Sequence, residues 1–573
     1  MTVPAQCETD ALASVSALLA RQAETLGDRR AFIFLPERGD GRPELSYTAL
    51  HRRAEALAAR LLRKASPGDR AVLLFPPGLD FVVAFYGCLA AGVIGVPLML
   101  PRRAGARDSS AAILADCRPR LALTSPEVAV ARPDVLERFA GALEWLTVSA
   151  LEDEPAPDAA LPAPGRDAVA LLQYTSGSTS SPKGVMVTHG NLLANFEMIR
   201  LAMGNTARSI CVGWVPHYHD MGLMMGVMQP VYLGTSSVLM PPAAFMMRPL
   251  SWLRAISEFR AEVTSAPNFA FDLCVSRFRP EQMQGIDLSC WKLALNGAEP
   301  VHADTIARFA KTFAPYGFQA ATMYPGYGLA EATLLVSGDV RGTGAQTRTV
   351  SRTGLQQGKA APADAADAQA LVHCGRSLIA ERVAIADPAT LRPLPACTVG
   401  EILVSGANVA AGYWRNEAAT ETTFRARLGD DEALWLRTGD LGFMDDTGAL
   451  FVTGRIKDLI IIRGVNHYPQ DIERTMQDAH PALHPDGGAA FAVMDEGGDE
   501  AVVLVQEIAR TQRRDLDLES VVARIREAVT AAHEIALHDI VLIAPATLPK
   551  TTSGKVQRST ARRLWQEGGL ERV

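Results

Sequence analysis

An excess of basic charge is missing from this chain. Its 56 lysines and arginines face 63 acids, for a net charge of −7 over 573 residues. A nucleic-acid binder with a basic face is therefore disfavoured. Paired cysteines are missing too: Cys7, Cys88, Cys117, Cys211, Cys274, Cys290, Cys374 and Cys397 stand singly, with no metal-ligand spacing. They read as reduced, mostly buried thiols of a cytoplasmic protein. The N-terminal stretch carries early acids rather than a basic and then apolar pattern, so no secretory signal is expected. Phe81–Leu100 is uncharged for long enough to cross a bilayer. Gly87, Gly92, Gly95 and Pro97 break it, and it divides into a helix (about Leu79–Ala91) and a strand (Val93–Leu98) of a buried α/β core. No transmembrane segment is expected.

A Walker phosphate loop is absent as well, but another Gly- and hydroxyl-rich loop is present. The apolar segment Ala168–Leu172 reads as a strand, and after it runs Tyr174-Thr-Ser-Gly-Ser-Thr-Ser-Ser-Pro-Lys-Gly-Val-Met-Val-Thr-His189. Between that strand and a helix that Asn191 is expected to cap lie glycines, hydroxyls and Lys183. Glycines let backbone N–H groups turn inward, hydroxyls donate hydrogen bonds, and the lysine supplies charge. All three suit polyphosphate oxygens. The alternative is a flexible surface linker, but a linker seldom follows an apolar strand so directly.

The chain is too long for one core, so at least two domains are expected. Thr48–Leu62 has helical spacing, while Ala71–Phe75, Arg120–Thr124 and Leu146–Val148 look like short strands. Such alternation implies parallel sheets covered by helices. Glu152–Arg166 reads as an exposed connector, and Gly338 to about Gln369 reads as an insertion or long loop without periodicity. After Gly454 the character changes. Lys457–Arg463 is expected to lead into a strand, and Ala489–Met494, Ala501–Glu507, Leu518–Glu534 and Asp539–Ile543 supply a second set of strands and a helix. The expected domains are residues 1–456, with the insertion at about 338–369, and residues 457–573.

Five further clusters carry chemistry: Trp214-Val-Pro-His-Tyr-His-Asp-Met-Gly222, Asn296-Gly-Ala-Glu-Pro300, Tyr324-Pro-Gly-Tyr-Gly-Leu-Ala-Glu-Ala-Thr333, Arg437–Gly442 with Gly454–Asp458, and Leu548-Pro-Lys-Thr-Thr-Ser-Gly-Lys555. In order and spacing they resemble the adenylate-forming superfamily of acyl-CoA synthetases, luciferases and peptide-synthetase adenylation domains, across nearly the whole chain. His219–Gly222, Tyr327–Ser337 and Asn466–Glu473 are most similar to the fatty acyl-AMP ligases. Two further features fit that group: Ala330, where many superfamily members carry threonine, and the Gly338–Gln369 stretch, which falls where these ligases carry an insertion associated with failure to use coenzyme A.

The resemblance implies an α/β fold. A large N-terminal domain of stacked α/β subdomains, with sheets sandwiched by helices, would precede a small mobile C-terminal α/β (α+β) domain. It implies ATP and Mg²⁺ as cofactors. Thr175, Ser176, Gly177, Ser178, Thr179 and Lys183 would hold the phosphates, and Glu331 would bind Mg²⁺ as a hard oxygen ligand. Tyr327, flanked by Gly328, would stack on adenine, with Gly297 and Ala298 allowing backbone approach to the ring. Asp440 would accept from both ribose hydroxyls and Arg455 would support ribose or phosphate.

Lys555 would neutralise charge between the substrate carboxylate and the α-phosphate, with Lys457 as the hinge that lets its domain rotate. His219, Asp220, Met221, Met225 and Phe269 would line the acyl pocket; flexible, polarisable methionine suits an alkyl chain, though such residues are often plain core. Asp220 also leaves amino-acid activation open, because amino-acid-activating relatives read the α-amino group with an aspartate near this place. The implied activity is fatty acyl-AMP formation from a medium- or long-chain fatty acid, then transfer to the phosphopantetheine thiol of a separate acyl carrier protein. A fatty acyl-CoA synthetase and a stand-alone amino-acid adenylation enzyme remain the alternatives.

Overall fold

The computed structural model describes residues 12–37, 39, 41–101, 110–138, 143–148, 151, 160–175, 182–494, 500–510, 516–551 and 554–573. Two large sheets form its centre. The first has six strands in the order Glu144–Thr147, Leu121–Thr124, Arg70–Leu74, Ile94–Leu98, Val169–Thr175 and Lys183–Thr188. All neighbours are parallel except the last pair. The second has seven strands: Met323–Pro325, Leu293–Asn296, Val263–Ala266, Cys211–Gly213, Ser237–Leu239, Arg30–Phe34 and the antiparallel edge Glu44–Ser46.

The uncharged run resolves as expected. Leu79–Ala91 is a helix apolar on nearly every side, ended by Gly92 in the left-handed conformation at φ 64°, and Ile94–Leu98 is a wholly buried strand. Each large side chain buried there contributes about 1.5–3 kcal/mol. Among the described residues no helix is long and apolar enough to cross a membrane.

A four-stranded antiparallel sheet follows, Glu381–Ala386, Gly400–Gly406, Leu436–Met444 and Leu450–Arg455. Beyond it lies a small α+β unit built on Leu483–Met494, Glu500–Ile508 and Leu537–Ile543. Separate apolar clusters fill the two faces of its sheet, one around Ile472, Leu504, Ile525 and Leu542, the other around Phe491, Val503, Val541 and Ala561. The architecture is thus a large N-terminal domain and a small C-terminal one. The small unit's Arg474 pairs with Asp304 of the large part.

Two readings of the sequence need correction. The Gly338–Gln369 stretch is not structureless. Its strand Thr347–Ser351 pairs antiparallel with Ala368–Val372, and Ser351 caps the short helix Arg352–Gln356. Only Val350 is buried in the first strand, and the partner strand runs past the end of the stretch, so apolar alternation was too weak to signal a hairpin. The helix His189–Met203 is capped by Thr188 rather than Asn191. The two residues form a reciprocal capping box in which Asn191 is the third helical residue.

Candidate active site

The hydroxyl-rich loop joins two strands, not a strand and a helix. Lys183 opens the strand Lys183–Thr188, opposite Thr175 in the antiparallel ladder. The two strands that flank the loop thus pair as an antiparallel hairpin, and the next helix starts only at His189, after the second of them. Ser176, Gly177, Ser178 and Thr179, with the side chain of Thr175, lie outside the described residues.

Around Lys183 the chain gathers residues from distant segments. Glu331 lies in the single turn Ala330–Ala332. The Tyr413 hydroxyl donates to its Oε1 at 2.8 Å. The Lys183 ammonium stands 4.6 Å from the centre of the same tyrosine ring. Burial raises the Glu331 carboxyl above its ordinary range, and the Tyr413 bond pulls the other way. Burial also lowers Lys183, reinforced by the like charge of Lys457, which sits exposed in the turn Ile456–Asp458.

A second group forms on the four-stranded sheet. Asp440 pairs with Arg455 across the ladder. Its Oδ1 accepts from Arg455 Nε at 2.9 Å and its Oδ2 from the Tyr327 hydroxyl at 2.8 Å. Each carboxylate oxygen keeps a second lone pair, so further donors can still be taken.

The glycines beside Tyr327 answer to the backbone. A Cβ on Gly297 would lie 2.7 Å from the Gly326 carbonyl oxygen, and one on Gly328 would lie 1.8 Å from that of Leu334. Ala298 adopts φ 65°, a left-handed conformation that few residues besides glycine take readily. The bare faces of Gly297 and Gly328 are thus occupied by peptide oxygens.

The third group is acidic around one lysine. Asp220, Asp440 and Glu299 attract Lys555, while burial and Arg455 lower its ammonium. The Thr551 N–H donates to the Lys555 carbonyl at 2.7 Å, and the Lys555 N–H to the Thr551 hydroxyl at 3.1 Å. Asp220 is bonded to His219 Nδ1 at 2.6 Å. Burial would raise the Asp220 carboxyl, but His219 and Lys555 outweigh it and hold the group below its usual range.

Glu299, not assigned a role from sequence, accepts from the Phe269 N–H at 2.6 Å, and burial pushes its carboxyl up to about 7. A raised carboxyl stabilises the fold fully below its unfolded value, and that stability is lost as pH rises through 7. Glu299→Gln should therefore gain melting temperature relative to wild type between about pH 5 and pH 8, with a slope of at most about 1.4 kcal/mol per pH unit. Parallel melting curves across that range would show that Glu299 does not titrate there.

Of the residues expected to line an acyl pocket, His219 and Asp220 are polar and the other three are apolar. Met221 and Met225 are buried in the main core, and Phe269 packs edge-on against Trp214, 6.1 Å between centres. His217, stacked on Phe81 at 4.4 Å, is driven by burial down to about 4 and stays neutral. Met224–Met228 forms a π-helical turn, which apolar periodicity did not reveal. Tyr86, Cys211 and Ser237 donate to the carbonyls of Val227, Met225 and Gly226, satisfying groups that such a turn frees.

The chain is similar to known proteins. Residues 19–414 match the family model described as AMP-binding enzyme, and residues 457–573 match the one described as Disco-interacting protein 2-like, AMP domain. The protein is an ATP-dependent acid ligase that forms an acyl adenylate. The chain belongs to the AMP-binding enzyme family.

It is 41% identical to a medium-chain-fatty-acid–[acyl-carrier-protein] ligase of Moorena producens, over 97% of this chain and 95% of that one. It is 38% identical to a 4-hydroxyphenylalkanoate adenylyltransferase of Mycobacterium marinum, over 98% and 92%. Among solved structures it matches a fatty acyl-adenylate ligase from L. pneumophila in complex with acyl adenylate and pyrophosphate, at TM-score 0.75 and 36% identity over 98% of both chains.

Proposed function

We propose that this enzyme is a fatty acyl-AMP ligase that activates a medium- or long-chain fatty acid and passes the acyl group to the phosphopantetheine thiol of a separate acyl carrier protein. The observation that carries this reading is the convergence of Lys183, Glu331, Asp440 and Lys555, residues from four remote segments, beside the methionine-lined core. In the first half-reaction a carboxylate oxygen bonds to the α-phosphorus of ATP. The bond from that phosphorus to the bridging oxygen breaks, and its electron pair leaves with pyrophosphate. Lys555 neutralises charge where the new bond forms, and Lys183 holds the leaving phosphates. Asp440 would accept hydrogen bonds from the ribose hydroxyls.

Glu331 fits a hard divalent cation. It is a partly buried carboxylate beside the phosphate hairpin, and the described residues contain no cluster of three or more His, Cys, Asp or Glu that would form a dedicated cage. A single carboxylate completed by substrate phosphates and water is how Mg²⁺ is usually held. When bound it would offset charge on the phosphate oxygens.

In the second half-reaction the carrier's thiol attacks the acyl carbonyl, AMP departs, and the thiol proton is released. Rotation about Lys457, between the proposed domains 1–456 and 457–573, would withdraw Lys555 for this step. We place the reaction in the cytoplasm. The medium-chain-fatty-acid–[acyl-carrier-protein] ligase relative supports the thiol acceptor. Mass spectrometry of thioesters formed with holo-carrier protein or with coenzyme A tests the choice. The carrier should be acylated and coenzyme A left nearly free; efficient acyl-CoA formation would overturn the assignment in favour of an acyl-CoA synthetase.

A further inference from the structure

Tyr413 belongs to no cluster singled out in the sequence, yet it touches two opposite charges at once. Its hydroxyl donates to Glu331 Oε1 at 2.8 Å, and its ring face carries the Lys183 ammonium at 4.6 Å. Both contacts are fixed by backbone stitching. Met186 N–H donates to Gly412, Ala411 N–H to Met186 and Trp414 N–H to Gly184, which binds the tyrosine's segment along the strand that Lys183 begins. One residue earlier, Ala410 N–H donates to the Glu331 carbonyl. The Tyr413 N–H itself donates to Thr420 Oγ1 at 3.0 Å, and its ring meets Phe424 edge-on, 5.0 Å between centres. The tyrosine thus has little freedom to follow either charge.

Resting on the reading of Glu331 as the metal carboxylate and Lys183 as the phosphate cation, we infer that Tyr413 is a positioning residue that keeps these two apart and aims each at its own ligand. Opposite charges this close attract, and a direct Lys183–Glu331 ion pair would leave neither free for substrate. Tyr413 contacts both of them. Its hydroxyl engages one carboxylate oxygen while an aromatic face, rather than an acid, receives the ammonium. A cation and a phosphate then each meet a partner that has not been neutralised by the other.

The two contacts can be cut separately. Tyr413→Phe keeps the ring and removes the bond to Glu331, whereas Tyr413→Leu removes both. Binding of adenosine 5′-(α,β-methylene)triphosphate would be followed calorimetrically in EDTA and against increasing MgCl₂. Tyr413→Phe should bind the analogue normally in EDTA but need about tenfold more Mg²⁺ for half-maximal enhancement, the loss typical of one hydrogen bond to a charged group. Tyr413→Leu should also bind about tenfold more weakly in EDTA. If the leucine variant does not fold, as its melting curve would show, the phenylalanine variant alone decides. Wild-type Mg²⁺ dependence in Tyr413→Phe, alongside an impaired Glu331→Gln, overturns the role of Tyr413 and leaves the metal assignment standing. Unchanged Mg²⁺ dependence in Glu331→Gln overturns that assignment, and the Tyr413 proposal with it.

Discussion

Replacing Lys555 with alanine is expected to cut acyl-adenylate formation about 10²- to 10³-fold, the usual cost of losing one preorganised group that stabilises transition-state charge. ATP should still bind, because the nucleotide's other proposed partners, Lys183, Glu331 and Asp440, belong to the large part of the chain. The expectation follows from the electrostatics around this side chain. Asp220, Asp440 and Glu299 draw the ammonium inward, while Arg455 and burial disfavour its charge. Such a group gains most when negative charge appears next to it, as at an attacked phosphate. Arginine should not rescue, since its planar fork spreads the charge that an ammonium concentrates. Pyrophosphate release with fatty acids of graded length, beside calorimetric ATP binding, separates chemistry from affinity. A variant that turns over at the wild-type rate would remove Lys555 from the reaction.

The second large effect is expected at Asp440, and it should appear first in nucleotide affinity. This carboxylate is buried and already engages Arg455 and Tyr327 through different oxygens. Asp440→Ala would leave the Tyr327 hydroxyl buried without its acceptor and would remove the proposed site for two ribose hydroxyls. At about 1.5–3 kcal/mol for each hydrogen bond to a charged group, ATP affinity should fall about 10²-fold or more. The fold should lose about 1–3 kcal/mol for the unsatisfied partner. Asp440→Asn is the sharper probe: it preserves shape, but an amide NH₂ turned toward Arg455 sets donor against donor. ATP titration and thermal unfolding measure the two effects separately. Unaltered ATP affinity in both variants would sink the ribose assignment.

How far the sequence revealed this protein depended on the kind of signal each element carries. Leu79–Ala91 and Ile94–Leu98 were legible because an apolar run broken by glycines has few physical solutions. The strands of the small unit were legible because their burial leaves dense β-branched stretches. Lys183 was placed on a loop, whereas it begins a strand, because one lysine in a glycine- and serine-rich context hides the β-branched residues that follow. Tyr413 and Glu299 went unassigned for a different reason: their importance lies in contacts with Glu331, Lys183, Phe269 and Lys555, all remote in sequence. A side chain whose meaning comes from tertiary neighbours leaves no periodicity to read.

The π-helical turn at Met224–Met228 carries a consequence for the packing around it. Such a turn amounts to one surplus residue in an otherwise ordinary helix. Removing that residue would let the segment close into an ordinary α-helical turn, with the change absorbed locally. The carbonyls of Met225, Gly226 and Val227 would then turn back into the helix, and Cys211, Ser237 and Tyr86 would lose their acceptors. The turn is thus held in place by three donors from outside its own helix.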